Sequence, residues 1–243
     1  RRQRQMCMSD SHNTVVALGK FDGMHKGHQL IFDELIQYKQ LGYQAAVFSF
    51  DRPPLNMLKH KHMRVIYTTN EKIKLLARRG IDIYIEHPFT DEFSHLSPED
   101  FVIKVLLEKT GMKVLVVGDD CGFGYKRQGN VELLERMSKE YDFKLIVIPK
   151  LELEGEIVSS TRIRHLLSEG KVEEANRLME DPFMICGSVV HGNHMGAEVL
   201  QMPTANQIPL EDKLLPPNGV YVSRIHYNCL LYTSPSPRDY AAS

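Results

Sequence analysis

The sequence predicts an α/β protein, a doubly wound parallel sheet followed by an incomplete small β-barrel. As far as residue 148, short runs apolar on both faces, such as Val15-Val16-Ala17-Leu18 and Val114-Leu115-Val116-Val117, alternate with segments of helical periodicity. Strands buried on both faces belong to parallel sheets covered by helices. After Asp181-Pro182 the pattern changes to short β-like runs between glycine- and proline-rich loops, as in a small barrel. Two glycine-rich loops each follow a predicted strand, and an open parallel sheet binds ligands beyond the carboxyl ends of its strands.

Residues 14–18 predict the first strand, and Leu30, Ile31, Leu35, Ile36 and Tyr38 predict a helix over 29–41 that Gly42 ends. Gln44 to Phe50 reads as the second strand, and Asp51-Arg52-Pro53-Pro54 forces an extended loop. Thr69-Asn70-Glu71 caps a helix running to Arg79, with the third strand over 81–85. Ser97-Pro98-Glu99-Asp100 is a capping box with proline at the first helical position, so a helix spans about 98–110 and Gly111 stops it. A strand over 113–117, a helix over 130–140 and a strand over 144–148 complete the sheet unit. Two helices follow, one starting at Ser159-Ser160-Thr161-Arg162-Ile163-Arg164 and one over 172–179, and then β-like runs over 184–190 and 219–225.

With 243 residues, 42% of them hydrophobic and 25% charged, the chain has the composition of a globular protein of two domains. A formal net charge of -1 supplies no bulk field for nucleic acid or an anionic membrane, so neither is an expected partner and any phosphate recognition is local. Cys7, Cys121, Cys186 and Cys229 form no C-x-x-C pair, which argues against a zinc knuckle or a disulfide framework and for a reducing, cytoplasmic setting. No apolar run approaches the roughly 18–20 residues of a membrane span. The start Arg1-Arg2-Gln3-Arg4 lacks a signal-peptide core, and residues 1–13 are expected to be a disordered leader. The expected domains are 14–181 and 182–226. From Tyr227 no strand or helix pattern continues, so 227–243 is expected to be a non-native or frame-shifted tail.

Residues 15–28 are where this pattern acquires chemistry. A buried strand runs into a loop punctuated by Gly19, Gly23 and Gly27 and then a helix start, with His25 and His28 three apart. Unpaired first-turn amides and the helix dipole favour an anion there. Two imidazoles at that point suit phosphate chemistry, as donors to a nucleotidyl-transfer transition state; structural histidines and zinc ligation are the alternatives. Ser159 to Arg164 is either a capped helix with a solvated basic face or a triphosphate site, with Arg164 the better-placed guanidinium. The loop Gly118 to Gly129 holds four glycines, Asp119, Asp120 and Lys126-Arg127 directly after a strand. Asp22 and Asp120 are the acids expected nearest a nucleotide or its metal.

Gly19-x-Phe21-Asp22-Gly23-x-His25-x-Gly27-His28, the 118–124 loop and Ser159-Ser160-Thr161-x-Ile163-Arg164 together resemble the prokaryotic bifunctional riboflavin kinase/FAD synthetase family, a nucleotidyltransferase fold of the HxGH type. Gly187-Ser188-Val189-Val190-His191-Gly192, Met202-Pro203-Thr204-Ala205-Asn206 and Pro217-Asn218-Gly219-Val220-Tyr221 resemble the opening of the family's riboflavin kinase barrel. The resemblance implies two steps: riboflavin and ATP give FMN, then FMN and ATP give FAD and pyrophosphate. It implies that His25, His28 and Arg164 are catalytic, that Gly19, Phe21, Asp22, Gly27, Ser159, Ser160 and Thr161 bind ATP, and that Asp120 and Phe123 line the flavin or nucleotide pocket. In the kinase half it implies that Thr204 and Asn206 hold ATP phosphates and Mg2+, with Thr204 the metal ligand. Other superfamily members, which act on phosphopantetheine or sugar and alcohol phosphates, lack the Pro-Thr-Ala-Asn barrel. A non-catalytic flavin- or nucleotide-binding module is the remaining alternative.

The sequence departs from the family pattern at several points. Asp51-Arg52-Pro53-Pro54 stands where Glu-Pro-His-Pro is common, Cys121 and Gly122 replace an aromatic and a larger residue, and Gln201 replaces a glycine. The change at 121–122 is expected to loosen the flavin pocket. Because the later barrel strands and the kinase's catalytic glutamate have no counterpart in the chain as given, it is expected to lack riboflavin kinase activity.

Overall fold

A computed structural model describes residues 13–51, 64–190, 206–227 and 230–233. Its centre is a five-stranded sheet of β1 (Thr14–Leu18), β2 (Gln44–Phe50), β3 (Ile83–His87), β4 (Met112–Gly118) and β5 (Lys144–Ile148), in the order β3-β2-β1-β4-β5. Every pairing in it is parallel. Successive strands are added toward one edge from β1 to β3 and toward the other from β4 to β5, so the winding reverses between β1 and β4 and a crevice opens at the carboxyl ends of those two strands.

The period-two alternation within each strand divides the core. Val15 and Ala17 of β1, with Val114 and Val116 of β4, face α1 (Lys26–Gln40), α2 (Thr69–Arg78) and α6 (Ser160–Ser168). Val16 and Leu18, with Leu115 and Val117, face α4, a continuous helix over Pro98–Asp100, Phe101–Leu107 and Glu108–Thr110, and α5 (Val131–Glu140). A short α3 (Asp91–Ser94) precedes α4, and α7 (Val172–Leu178) follows α6. The middle of α4, Phe101–Leu107, is π-helical, and its first residue, Phe101, packs against Phe48, Phe50 and Phe123. Ser97 caps this helix by accepting from the Asp100 amide at 3.0 Å, as the capping box predicts.

Several boundaries differ from the sequence reading. Helix α1 begins at Lys26, three residues earlier than expected, and carries both glycine and histidine of the motif in its first turn. Ladder pairing of β3 starts at Ala46 opposite Ile83, so the strand lies two residues later than 81–85; Ile81 is buried in the core without being paired. A small hairpin, β6 (Glu152–Leu153) with β7 (Glu156–Ile157), was not anticipated. Beyond α7, β8 (Gly187–Val190) pairs antiparallel with β9 (Asn206–Pro209), and β10 (Arg224–Tyr227) with β11 (Leu230–Thr233). The expected strand over 184–190 is shorter because the Met184 carbonyl and Cys186 amide bond elsewhere, to Lys213 and Glu71. In place of a strand over 219–225, the Tyr221 hydroxyl donates to the Pro217 carbonyl across a tight loop, and only residues from Arg224 pair. Beyond Tyr227, where no strand was expected, β11 is present. Residues 1–12 of the expected leader 1–13, Arg52-Pro53-Pro54, Gln201 and Thr204 lie outside the described residues. Among the described residues no helix is long and apolar enough to cross a membrane.

Leu35 of α1 is fully buried against the β1 and β4 face. Leu35→Ala is expected to cost about 2–5 kcal/mol, through lost transfer energy and a residual cavity; urea unfolding of the two proteins measures it.

Candidate active site

The loop from β1 into α1 explains its own sequence. A Cβ at Gly19 would sit 2.8 Å from the Phe21 ring, so glycine lets that ring fold back onto the strand end. Phe21, with φ of 47°, is buried and meets the His28 ring edge-on at 5.1 Å. His28 in turn stacks on His25, centroid to centroid 3.6 Å with 20° between the planes. A Cβ on Gly27 would lie 3.1 Å from His25 Nδ1, so this glycine keeps the stack from being displaced. Buttress, stack and clearance are the physical content of the G-x-F-D-G-x-H-x-G-H pattern.

His25 is the N-cap of α1, but its side chain makes no capping bond. Its carbonyl accepts the His28 and Gln29 amides, and its backbone bridges to Met179 at the end of α7. Both Nδ1 atoms are buried without a protein partner among the described residues. Burial pushes the His25 pKa down to about 4, with Asp120 opposing the shift weakly; burial, then the neighbouring His25 and Lys72, push His28 well below the usual imidazole value. Two neutral rings with unused nitrogens therefore sit at a helix N-terminus, where an anion is favoured.

Helix α6 brings its own N-terminus to the same place. Ser159 caps it by accepting from the Arg162 amide at 3.2 Å, while Ser160 Oγ accepts from the Gly23 amide at 3.2 Å. Asp22 Oδ1 accepts from the Ile66 amide at 3.0 Å, and its Oδ2 accepts from Arg164, whose other Nη donates to the Arg64 carbonyl. The β1 loop, the 64–66 segment and α6 are thus tied at one point. Arg164 is consequently engaged with protein groups, and neither it nor Asp22 nor the exposed Thr161 lines the cleft; Ser159 and Ser160 do.

The cleft itself measures about 940 Å³ and spreads from His25 and His28 across the ends of β1, β4 and β5. One wall is aromatic, built from Phe50, Phe89, Phe93, Phe101 and Phe123, with ring centroids 5.7–6.4 Å apart for the Phe50 contacts with Phe89, Phe93 and Phe101. Only Phe123 of this wall was anticipated. The others lie on or just after strand ends or at a helix start, and the strand-end rule is the signal that points to them. Lys20, Arg127 and Lys150 give the cleft a basic rim. Burial and then the Arg127 charge lower the Lys20 pKa, against the pull of Asp22. Asp120 also lines the cleft and pairs with Lys150 Nζ at 3.3 Å. Asp119 is used structurally, accepting from the Lys150 amide at 3.1 Å.

The departures at 121–122 have visible consequences. Where a larger residue was expected, the Arg127 guanidinium occupies the space, 2.8 Å from where a Gly122 Cβ would be. The Cys121 thiol is pushed up to about 12 by burial, then by Asp120, and stays protonated. Asp51 accepts from the Phe89 amide at 2.9 Å and so fixes part of the aromatic wall. Asn206 stands exposed at the start of β9.

Comparison with known proteins agrees with this architecture. A family model described as FAD synthetase matches residues 7–162, and one described as riboflavin kinase matches residues 179–234. A bifunctional riboflavin kinase/FMN adenylyltransferase of Buchnera aphidicola subsp. Schizaphis graminum is 39% identical over 216 residues, 88% of this chain and 69% of the relative. This chain belongs to the bifunctional riboflavin kinase/FMN adenylyltransferase family. The Escherichia coli (strain K12) member is 32% identical over 213 residues, 87% of this chain and 67% of that protein. A Listeria monocytogenes relative named FAD synthetase is 32% identical over 214 residues, 87% of this chain and 81% of that one. A solved structure described as a macrolide-efflux protein from Streptococcus pneumoniae superposes with a TM-score of 0.79 at 32% identity, over 92% of this chain and 73% of that one. The family assignment accounts for a parallel sheet with a histidine-bearing β1 loop in one region and antiparallel ladders in the next.

The pKa of His25 sets a testable pH dependence. Between about 4 and the unfolded value of 6.5 the unfolded chain binds more protons than the folded one, so folding stability rises with pH through that window and is fully present above it. For His25, which is 8% exposed, the contribution lost on going to pH 4 is up to ~3 kcal/mol, and His28 adds in the same direction. Urea unfolding at pH 7, 5.5 and 4.5 is expected to show a shallower fall for His25→Gln than for the wild type.

Proposed function

We propose that this chain catalyses adenylyl transfer from ATP to FMN, giving FAD and pyrophosphate, and that the neutral His25–His28 stack at the N-terminus of α1 meets the ATP phosphates. The observation that carries this is the stacked His25–His28 pair at the α1 N-terminus, lining a cleft with a basic rim and an aromatic wall. The basic rim suits a phosphate-bearing acceptor, and the aromatic wall suits the flat isoalloxazine ring, which stacks on or against phenylalanine edges. Asp120 and Phe123 border the space for the flavin or nucleotide.

In the reaction an oxygen of the FMN phosphate forms a bond to the α-phosphorus of ATP as the bond from that phosphorus to the bridging oxygen breaks, releasing pyrophosphate. No protein nucleophile is needed. Neutral imidazoles donate N–H bonds to phosphate oxygens without a competing charge to be screened, and fixed donors of this kind act by preorganisation. Gly27 leaves the approach open, Ser159 and Ser160 offer the α6 N-terminus, and Gly19 and Phe21 hold the ring stack in place. Asp22 and Arg164 orient the two phosphate-facing elements, and Thr161, in the first turn of α6 but outside the cleft, is assigned to ATP on the motif alone.

Magnesium fits as a cation carried by the nucleotide. Among the described residues no group of three or more His, Cys, Asp or Glu side chains is arranged to hold a metal. Mg2+ commonly takes one or two carboxylates and completes its shell with phosphates and water; of the cleft carboxylates Asp91, Asp119 and Asp120, we assign Asp120 to that role. Bound there it would neutralise charge on the departing phosphates. For the riboflavin kinase region we assign Thr204 and Asn206 to ATP phosphates and metal, on the motif alone. A cytoplasmic site of action accords with these substrates.

Replacing His25 or His28 by alanine is expected to lower the rate of FAD formation about 10²–10³-fold with the fold intact. Chromatographic separation of FAD from FMN, alongside circular dichroism, measures both. Wild-type rates in the doubly substituted protein would exclude the mechanism.

A further inference from the structure

We propose that Lys213, in the riboflavin-kinase-like region, is a positioning residue for the adenylyl-transfer site: it holds the 64–66 strap against which Asp22 and Arg164 are set. The inference rests on the adenylyl-transfer reading above.

Lys213 and Glu71 form an ion pair at 2.7 Å in which both side chains are fully buried. All three ammonium protons are used, on the Ile66 carbonyl at 2.5 Å, Glu71 Oε2 at 2.7 Å and the Met184 carbonyl at 2.7 Å. The cation also lies over the Tyr67 and Phe183 rings, at 4.8 and 4.5 Å from their centroids. Glu71 belongs to the capping box of α2, accepting from the Thr68 amide at 2.8 Å, and reaches across to accept from the Cys186 amide at 2.7 Å. The backbones join as well: the Val65 amide donates to the Asp212 carbonyl, and the Leu214 amide to the Val65 carbonyl, both at 2.7 Å.

The opposite side of the same strap faces the phosphate-binding elements. The Ile66 amide donates to Asp22, and the Arg64 carbonyl accepts from Arg164. One residue therefore connects the two regions, since Ile66 gives its carbonyl to Lys213 and its amide to Asp22. The strap belongs to no strand of the five-stranded sheet; the ladder contact it makes is an isolated bridge between Val65 and Lys213. A buried ion pair adds little net stability over an apolar replacement of similar volume. What this one adds is direction: Glu71 and the Met184 carbonyl hold the ammonium in place, and its third hydrogen bond fixes the height of Ile66. Without them the Asp22 carboxylate and the Arg164 guanidinium lose their register, and with it the alignment of the α6 N-terminus against His25 and His28.

The test uses the full chain, steady-state FAD synthesis and two variants. Lys213→Met removes the clasp and leaves Glu71 without its cation; Lys213→Met/Glu71→Gln removes both charges and is the variant expected to fold best. Both are expected to raise KM for ATP about 2- to 30-fold, with KM for FMN changed less, at a temperature where circular dichroism shows them folded. Adding Asp22→Asn to Lys213→Met is expected to cost little beyond Asp22→Asn alone, because both act through one residue, Ile66. A KM for ATP unchanged in both variants, or penalties that add fully, overturns the proposal. Should neither variant fold, hydrogen exchange on the wild type decides: ATP is expected to slow exchange at the Ile66 and Leu214 amides together, and an unaffected Leu214 overturns it. Wild-type chain that makes no FAD overturns the adenylyl-transfer reading and the coupling with it, whereas FAD synthesis with unaltered KM in the variants overturns the coupling alone.

Discussion

Asp22 receives hydrogen bonds from two directions, the Ile66 amide and the Arg164 guanidinium, and the joining of the β1 loop, the 64–66 segment and α6 at one point depends on that. Beta strand 1 delivers Asp22, α6 delivers Arg164, and the strap between β2 and α2 delivers Ile66. The carboxylate is part-buried, as is its guanidinium partner, so each would be costly to leave alone. Three stretches that are far apart in the chain are thereby brought to one end of the sheet. Ser160 repeats the tie a few residues away through the Gly23 amide. Within this frame the imidazole stack needs no further protein partner, and both rings stay available.

That availability has an electrostatic cost and a chemical use. Burying two imidazoles without partners disfavours their charged forms, so the site is neutral at the rings and positive at its rim, where Lys20, Arg127 and Lys150 stand. On the adenylyl-transfer reading proposed above, an incoming triphosphate would meet diffuse attraction first and directed donors second. The chain's net charge of -1 is consistent with this, since the positive field is local to the cleft.

Local patterns were legible in the sequence, and distant pairings were not. Strands β1, β2, β4 and β5 fall within a residue of their expected bounds because runs apolar on both faces have few other uses in a chain of this composition. Strand β3 slipped by two because Ile81 is buried without being paired, and hydrophobicity reports burial rather than hydrogen bonding. His25, His28 and their glycines lie within one short motif, so their grouping could be read directly. The Arg164–Asp22 pair spans 142 residues and the Lys213–Glu71 pair likewise 142, and no periodicity signals such contacts. The same reason hid the rest of the aromatic wall beyond Phe123, whose members come from β2, the β3–α3 connection, α3 and α4. In the second region, the strand expected from Met184 starts at Gly187 because the clasp takes the Met184 and Cys186 backbone groups first.

The claim on which the account turns is that two neutral imidazoles receive the phosphates of ATP. Nuclear magnetic resonance of the full chain with labelled histidine, titrated from pH 8 to 4 with and without ATP, tests it most directly. The account predicts that the His25 and His28 rings are neutral at pH 7 in the free protein, that His25 titrates near pH 4, and that ATP shifts the resonances of both and raises both pKa values. Rings already protonated at pH 7 in the free protein, or resonances that ignore saturating ATP, would contradict it.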